Sequence, residues 1–297
     1  MTNRDSTVQQ KTQQRRVARI DHPIEQQGMA AAHRVRQLVP PDDSAATDPF
    51  LLLMEDTCPE GVFDRHPHRG IETVTYVLKG EVEHYDNHGA QGLAKPGDAL
   101  WLTAGRGLIH NEIPLHGETI HILQLWINLP AANKMVDARL QVLQASSLPR
   151  VTAEGIEIRV FSGPLAGQTG PARNYAPVIM AEVNLATTTA YSIELPADAN
   201  SFVVILDGTG LIGADTTRVR AGDVVWLTPE SKPATSELLL KTEDSSMRLM
   251  LFAGHMLNEP VAMGGPFVMN SRAEIQQAYV DFQAQGERFG IDTQADV

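Results

Sequence analysis

One cysteine, Cys58, is all that the 297 residues contain. No intrachain disulfide can form, which argues against a disulfide-built secreted scaffold and for a reducing compartment. Basic residues are also short: 24 Lys and Arg against 36 Asp and Glu leave a formal net charge of −12. Such a balance offers no broad cationic surface to a phosphate backbone, so direct nucleic-acid binding is not expected. Nowhere do about 18 apolar residues follow one another, the length a membrane-spanning helix needs. The opening MTNRDSTVQQKTQQRR likewise lacks the apolar stretch of a signal peptide. Cytoplasmic location without membrane attachment is the resulting expectation. Aromatic residues make up only 5%, whereas 23 Gly and 18 Pro are present, a composition suited to many short strands joined by turns.

With 42% hydrophobic residues the chain can build substantial cores, and its length suits two domains. Residues 1–18 are rich in Gln, Thr, Ser and Arg and read as a disordered tail, because they have little apolar surface to bury. Beyond them, short apolar runs alternate with Gly, Pro, Asp and Asn. PFLLLME (49–55), TVTYVL (73–78), DALWLT (98–103) and IHILQLWINL (120–129) are of strand length. Residues 131–144 (AANKMVDARLQVLQ) have a helical pattern, and further strand candidates run from 150 to 255. Near the C-terminus, Ser271 and Glu274 have capping-box spacing. Ile275, Ala278, Tyr279 and Phe282 follow at helical intervals, and Gly286 is a stop signal.

Two strings repeat. VLKG at 77–80 returns as ILDG at 205–208, and GDALWLT at 97–103 returns as GDVVWLT at 222–228, offsets of 128 and 125. The sequence therefore predicts two related β-domains, over 19–140 and 141–297.

His66-Pro67-His68 and His110-Asn111-Glu112 are both pairs of ligand-type residues at i and i+2. In a strand these side chains share a face, so two such pairs on neighbouring strands converge on one point. Three imidazoles and a carboxylate suit Fe(II), Mn(II), Ni(II) or Zn(II) rather than Ca(II) or Mg(II). A lone HxH is weak evidence, since most histidines are surface or core groups, and Pro67 is also compatible with a rigid turn. The second pair, with a hairpin and the PGD turn between the two, is what points to a metal. His84, His88, His116, His121 and His255 carry no such pattern. Cys58, eight residues before His66, reads as a small buried hydrophobe rather than a redox thiol. Shifting the four candidates by the repeat offsets lands on Glu194, Pro196, Thr235 and Glu237, which contain no imidazole. The second domain is expected to be metal-free.

The runs HPHRGIETVTYVLKGEVEHYD, PGDALWLTAGRGLIHNEIP and LQLWINLP, with the later GGPFVMNS and ERFG, closely resemble the pirin branch of the cupin superfamily over about residues 20 to 290. This resemblance implies an all-β fold of two facing β-sandwich barrels (a bicupin), with a few short helices and a C-terminal helix. It also implies metal in the N-terminal barrel alone, held by His66, His68, His110 and Glu112. Glu72 stands where many other cupins have their carboxylate ligand, and pirins move that role to the HxE pair. The metal implied is Fe(II) first, with Mn, Ni, Zn or Cu as alternatives. Pirins often carry Pro and Tyr after the INLPA segment; this chain does not.

By the same resemblance, the expected activity is a non-haem iron dioxygenase of the quercetin 2,3-dioxygenase type. Its substrates would be O2 and a flavonol or similar small aromatic enol, with Glu112 both ligand and catalytic base. The alternative is an iron-dependent, redox-responsive regulator that binds a protein partner without turnover. A wide apolar opening beside the metal favours the first, and a closed site the second.

Overall fold

The computed structural model describes residues 13–230 and 234–291. It is built almost wholly of β-strands, with short helical turns and one long C-terminal helix. In the first sandwich, a seven-stranded sheet runs in the order Arg139–Leu143, Ala99–Thr103, Ile71–Lys79, Ile120–Asn128, Phe50–Cys58, Arg34–Val39 and Gln26–Gln27. Facing it is a four-stranded sheet of His66–His68, Leu108–Pro114, Val82–Asp86 and Gln91–Ala94. Alternation divides the long strands between two cores. From Ile71–Lys79, Val77 enters the sandwich interior with Cys58, Val82, Leu100 and Ile122, while Val74 and Tyr76 point outward.

That outward face packs on the second sandwich. Phe50 meets Phe202 at 5.2 Å between ring centroids, edge on, and Phe202 stacks on Phe252 at 4.8 Å. One buried polar cluster lies in this seam. Tyr76 and Arg248 both hydrogen-bond Glu182, each at 2.8 Å, and Arg159 reaches the same carboxylate at 3.0 Å. Burial alone would raise Glu182, but the two guanidinium groups hold it below the ordinary carboxylate range.

The ends of the chain are exchanged between the halves. Gln13–Gln14 pairs in parallel with Thr235–Lys241, and Val17–Asp21 pairs with Val224–Leu227, so this segment joins the second sandwich. The expected tail through residue 18 is thus corrected from residue 13 onward, and residues 1–12 lie outside the described residues. Arg15 explains the attachment: it is fully buried, and its guanidinium donates to Ser236 Oγ and to four backbone carbonyls, including those of Ala199 and Ala197.

At the other end, Phe267–Met269 and the helix Arg272–Gln285 return to the first sandwich. Arg69 bridges to Phe267 and pairs with Asp281 at 2.6 Å, and Lys134 donates its Nζ protons to Gly70 O, Asn128 Oδ1 and Val268 O. Helix capping is as the spacing indicates: Ser271 Oγ accepts from Glu274 N, and Glu274 accepts from Asn270 N at 3.0 Å. Ile275, Ala278 and Phe282 then cover Ile109, Phe267 and Phe289.

The helix expected over 131–144 does not form. Ala131–Asn133 is a single 3-10 turn, and Arg139–Leu143 is an edge strand on Ala99–Thr103. Leu140 and Val142 pack toward the sandwich interior while Leu143 joins the core between the sandwiches, so tertiary burial overrides a weak local helical preference.

Candidate metal centre

His66 and His110 face one another across the pairing of His66–His68 with Leu108–Pro114, and His68 stands opposite Leu108. Since i and i+2 share a face, this register directs both His pairs inward. His66, His68 and His110 bring ligand atoms within 4.8 Å of one another. His66 Nε2 lies 3.2 Å from His110 Nε2. The Nδ1 atoms of His66 and His68 are engaged elsewhere, with Asp64 O at 2.8 Å and Pro266 O at 3.2 Å. Those carbonyls can only accept, so Nδ1 carries the proton and Nε2 presents its lone pair to the centre. Burial lowers His68 to about 3, helped by neighbouring His66 against a weaker upward pull from Pro266 O; burial holds His110 well below its ordinary range. Both imidazoles are neutral at pH 7, the form a metal needs.

Glu112, two residues beyond His110, shares a group of convergent ligand atoms with His110 and His84 rather than with His66 and His68. Thr75 Oγ1 donates to its Oε2 at 2.7 Å, and Gln124 Nε2 approaches the same oxygen at 3.4 Å. Oε1 is buried without a hydrogen-bond partner. An orphaned carboxylate oxygen beside neutral imidazoles is the arrangement that a divalent cation satisfies, so the residues present fit a metal. Glu72 is absent from this group: it lies on the opposite face of its strand, where Thr103 Oγ1 donates to it at 2.8 Å. Burial raises Glu72 to about 7, with Thr103 opposing.

Sequence reasoning missed the role of His84. It sits on the hairpin strand Val82–Asp86, points inward and is fully buried. With His110 and Glu112 it forms a second group of convergent ligand atoms. Its Nδ1 is 3.5 Å from Glu112 Oε1 and 3.4 Å from His110 Nδ1, while Nε2 is 3.3 Å from Asp86. Burial disfavours its charge, but the nearby carboxylates of Asp86 and Glu112 outweigh that and raise His84 to about 9. It therefore backs the cluster from between two carboxylates, Asp86 and Glu112. The inward alternation of Val82 and His84 was the available signal. Other histidines have partners elsewhere: His88 with Gly107 O, His121 with Glu55 and His255 with Asp198. Cys58 is buried, and burial pushes its thiol up to about 12, which suits the hydrophobe and not the redox group.

A cavity of about 440 Å³ opens beside the cluster and is lined by His66, His68 and Glu112. Leu52, Met54, Phe63, Ile122 and Trp126 make most of its remaining wall apolar. His33 and Asp56 also line it, paired at 2.7 Å, and neither was singled out in the sequence. Asp56 follows Leu52 and Met54 at two-residue steps, a polar residue at an inward position of an apolar strand.

The second sandwich differs at the matching strands, Ala190–Pro196 and Thr235–Lys241. Glu194 stands opposite Glu237 there, but both lie on the outer face. Ile193, Leu195, Leu238 and Leu240 point inward and are part of a hydrocarbon core. Counting by repeat offsets picked residues on the wrong face, because a one-residue slip inverts every side chain of a strand.

Comparison with known proteins agrees with this architecture. The pirin family model matches residues 29–127, and the pirin C-terminal cupin domain model matches residues 180–290. A pirin-like protein of Solanum lycopersicum is 37% identical over 80% of this chain and 80% of its own length. A crystal structure from Geobacillus kaustophilus is 42% identical, covers 84% of this chain and 100% of that one, and superposes with a TM-score of 0.81. A structure named quercetin 2,3-dioxygenase, from Acinetobacter baumannii, is 30% identical over 91% of this chain and 97% of that one, with a TM-score of 0.82. On sequence and fold together, the chain belongs to the pirin family.

Proposed function

We propose that this chain is a metal-dependent dioxygenase that opens a flavonol or similar aromatic enol, with His66, His68, His110 and Glu112 holding the metal. The observation that carries the reading is the cavity. About 440 Å³ of mostly apolar space meets three of the four proposed ligands, a size and character suited to a flat polycyclic molecule with a polar edge. A closed centre would have favoured the redox-responsive alternative. The Acinetobacter relative's name supports the same substrate class.

Fe(II) is the metal proposed first; Mn, Ni, Zn or Cu would fit the same donors. When bound, it supplies Lewis acidity toward the substrate's oxygens and a one-electron route to O2. The protein's residues do the rest. Asp64 O and Pro266 O fix the tautomers of His66 and His68, so their Nε2 atoms are preorganised. With Oε1 left for the metal, Oε2 of Glu112, which accepts from Thr75, is the oxygen that would take the proton of the substrate's enol hydroxyl as it enters. Leu52, Met54, Ile122 and Trp126 exclude water and pack against the ring faces.

The test is metal content on freshly purified protein, followed by quercetin consumption under air after anaerobic loading with Fe(II). About one iron per chain is expected, with ring opening that disappears in His66→Ala and Glu112→Ala. One iron per chain without turnover would reject the enzyme in favour of a redox-responsive binding protein. Failure to bind any transition metal would remove the centre itself.

A further inference from the structure

The cavity wall holds a second polar group that the proposed chemistry leaves unused. His33 and Asp56 are 3% and 5% exposed, and His33 Nε2 lies 2.7 Å from Asp56 Oδ1. Their protonation pattern follows from the backbone. Met29 N donates to His33 Nδ1 at 3.0 Å, so Nδ1 is an acceptor and the ring proton sits on Nε2, directed at Asp56. The ring cannot turn away. A Cβ at Gly28 would fall 2.1 Å from His33 Nδ1, so the imidazole lies directly on that glycine, and Phe63 closes its other side edge on, at 5.5 Å. Gly28 N also bonds His33 O at 2.9 Å, which closes the loop around the ring.

Asp56 is therefore a carboxylate fixed in a mostly apolar wall and held by one protein donor. A carboxylate has about four lone-pair sites, and among the described residues His33 alone is hydrogen-bonded to it. Its remaining acceptor sites border the cavity, where water or a ligand can supply the missing donors. Its place along the wall is set by register. Asp56 pairs with Ile122, while Met54, two residues earlier, pairs with Gln124, whose amide approaches Glu112. Two residues of strand put Asp56 about 7 Å farther along the cavity than the level of Glu112.

On the reading that the centre binds a chelating enol, we infer that Asp56, held by His33, is a specificity residue: it accepts a hydrogen bond from a hydroxyl at the end of the substrate remote from the chelating oxygens. The substrate class is thus narrowed to hydroxylated aromatic enols. His33 acts through Asp56 as a positioning residue. Asp56→Asn makes a sharp variant, since Oδ1 still accepts from His33 while Nδ2 turns an acceptor toward the cavity into a donor.

The experiment is anaerobic titration of the Fe(II)-loaded protein with 3-hydroxyflavone, 3,7-dihydroxyflavone and 3,4′-dihydroxyflavone, following the absorption shift of the chelated flavonol. One of the two dihydroxy compounds should bind at least about tenfold more tightly than 3-hydroxyflavone, the size of a hydrogen bond to a charged group. In Asp56→Asn that preference should fall below about threefold, with 3-hydroxyflavone itself nearly unaffected. A purely structural dyad would shift all three ligands together and leave the ratio unchanged. Equal wild-type affinities for the three would overturn the role of Asp56 while leaving chelation at the centre intact. Absence of any chelation spectrum would instead overturn the flavonol reading on which the inference rests.

Discussion

Replacing Thr75 by Val removes one hydroxyl from beside Glu112 and changes almost nothing else in volume. Thr75 is fully buried, and its Oγ1 lies 2.7 Å from Glu112 Oε2 and 2.8 Å from Gln124 Oε1. Without it, Oε2 keeps only the long 3.4 Å approach of Gln124 Nε2, while Oε1 already has no hydrogen-bond partner. A hydrogen bond to a charged group contributes about 1.5–3 kcal/mol net. Loss of an outer-shell partner lowers metal affinity by about 10- to 100-fold, equivalent to about 1.4–2.8 kcal/mol. The two scales agree, so Thr75→Val should weaken Fe(II) or Ni(II) binding by that factor. Competition against a chromophoric chelator under anaerobic conditions measures it, and urea unfolding of metal-free protein separates it from any change in stability. The opposing effect is that a carboxylate with fewer donors is more basic. An affinity that rises or stays within about twofold would mean that Thr75 does not orient Glu112 for a metal.

Glu72, raised to about 7 chiefly by burial, gives a test by pH. Its folded pKa lies above its unfolded value, so its contribution to stability is present below about pH 4.5 and is lost as pH rises through about 7. Glu72→Gln keeps an acceptor for Thr103 and should stabilise the protein by up to about 3 kcal/mol at pH 8, with little effect near pH 4.5; thermal melts at the two pH values would contradict this if the difference were the same at both. Lys134→Met leaves Gly70 O, Asn128 Oδ1 and Val268 O without their shared donor. A loss of about 2–4 kcal/mol is expected by urea denaturation, with faster hydrogen exchange at the Phe267–Met269 strand. An unchanged midpoint and unchanged exchange would show that this ammonium does not tie the C-terminal segment down.

Several features were open to reading in the chain itself because their causes are local. Strand parity is a two-residue rule, so His66 and His68, or His110 and Glu112, had to share a face wherever those strands ended up. Capping at Ser271 and Glu274 needs only three residues of spacing, and the helix begins where that spacing says. The repeated GD-x-x-WLT strings mark equivalent positions in two sandwiches because both build the same turn before the same buried strand. None of these depends on distant partners. No helix among the described residues is long and apolar enough to cross a membrane, in keeping with the absence of long apolar runs.

Tertiary pairing decided the rest. Arg139–Leu143 carries a helical pattern, yet its alternate side chains have a sheet edge to cover, and pairing with Ala99–Thr103 outweighs propensity. The N-terminal strand leaves its own half because Arg15 finds five acceptors more than 180 residues away, a match that no local window contains. His33 and Asp56 meet only because two strands align in register around a loop closed on Gly28. His84 becomes part of the centre through its strand's pairing with Leu108–Pro114, which sets Glu112 directly opposite it. By itself the sequence determined which residues could face a metal, since alternation is a property of each strand alone. Which residues surround that centre, and what closes and shapes the cavity, was decided by contacts between distant segments, whose register follows from burying both sandwiches at once.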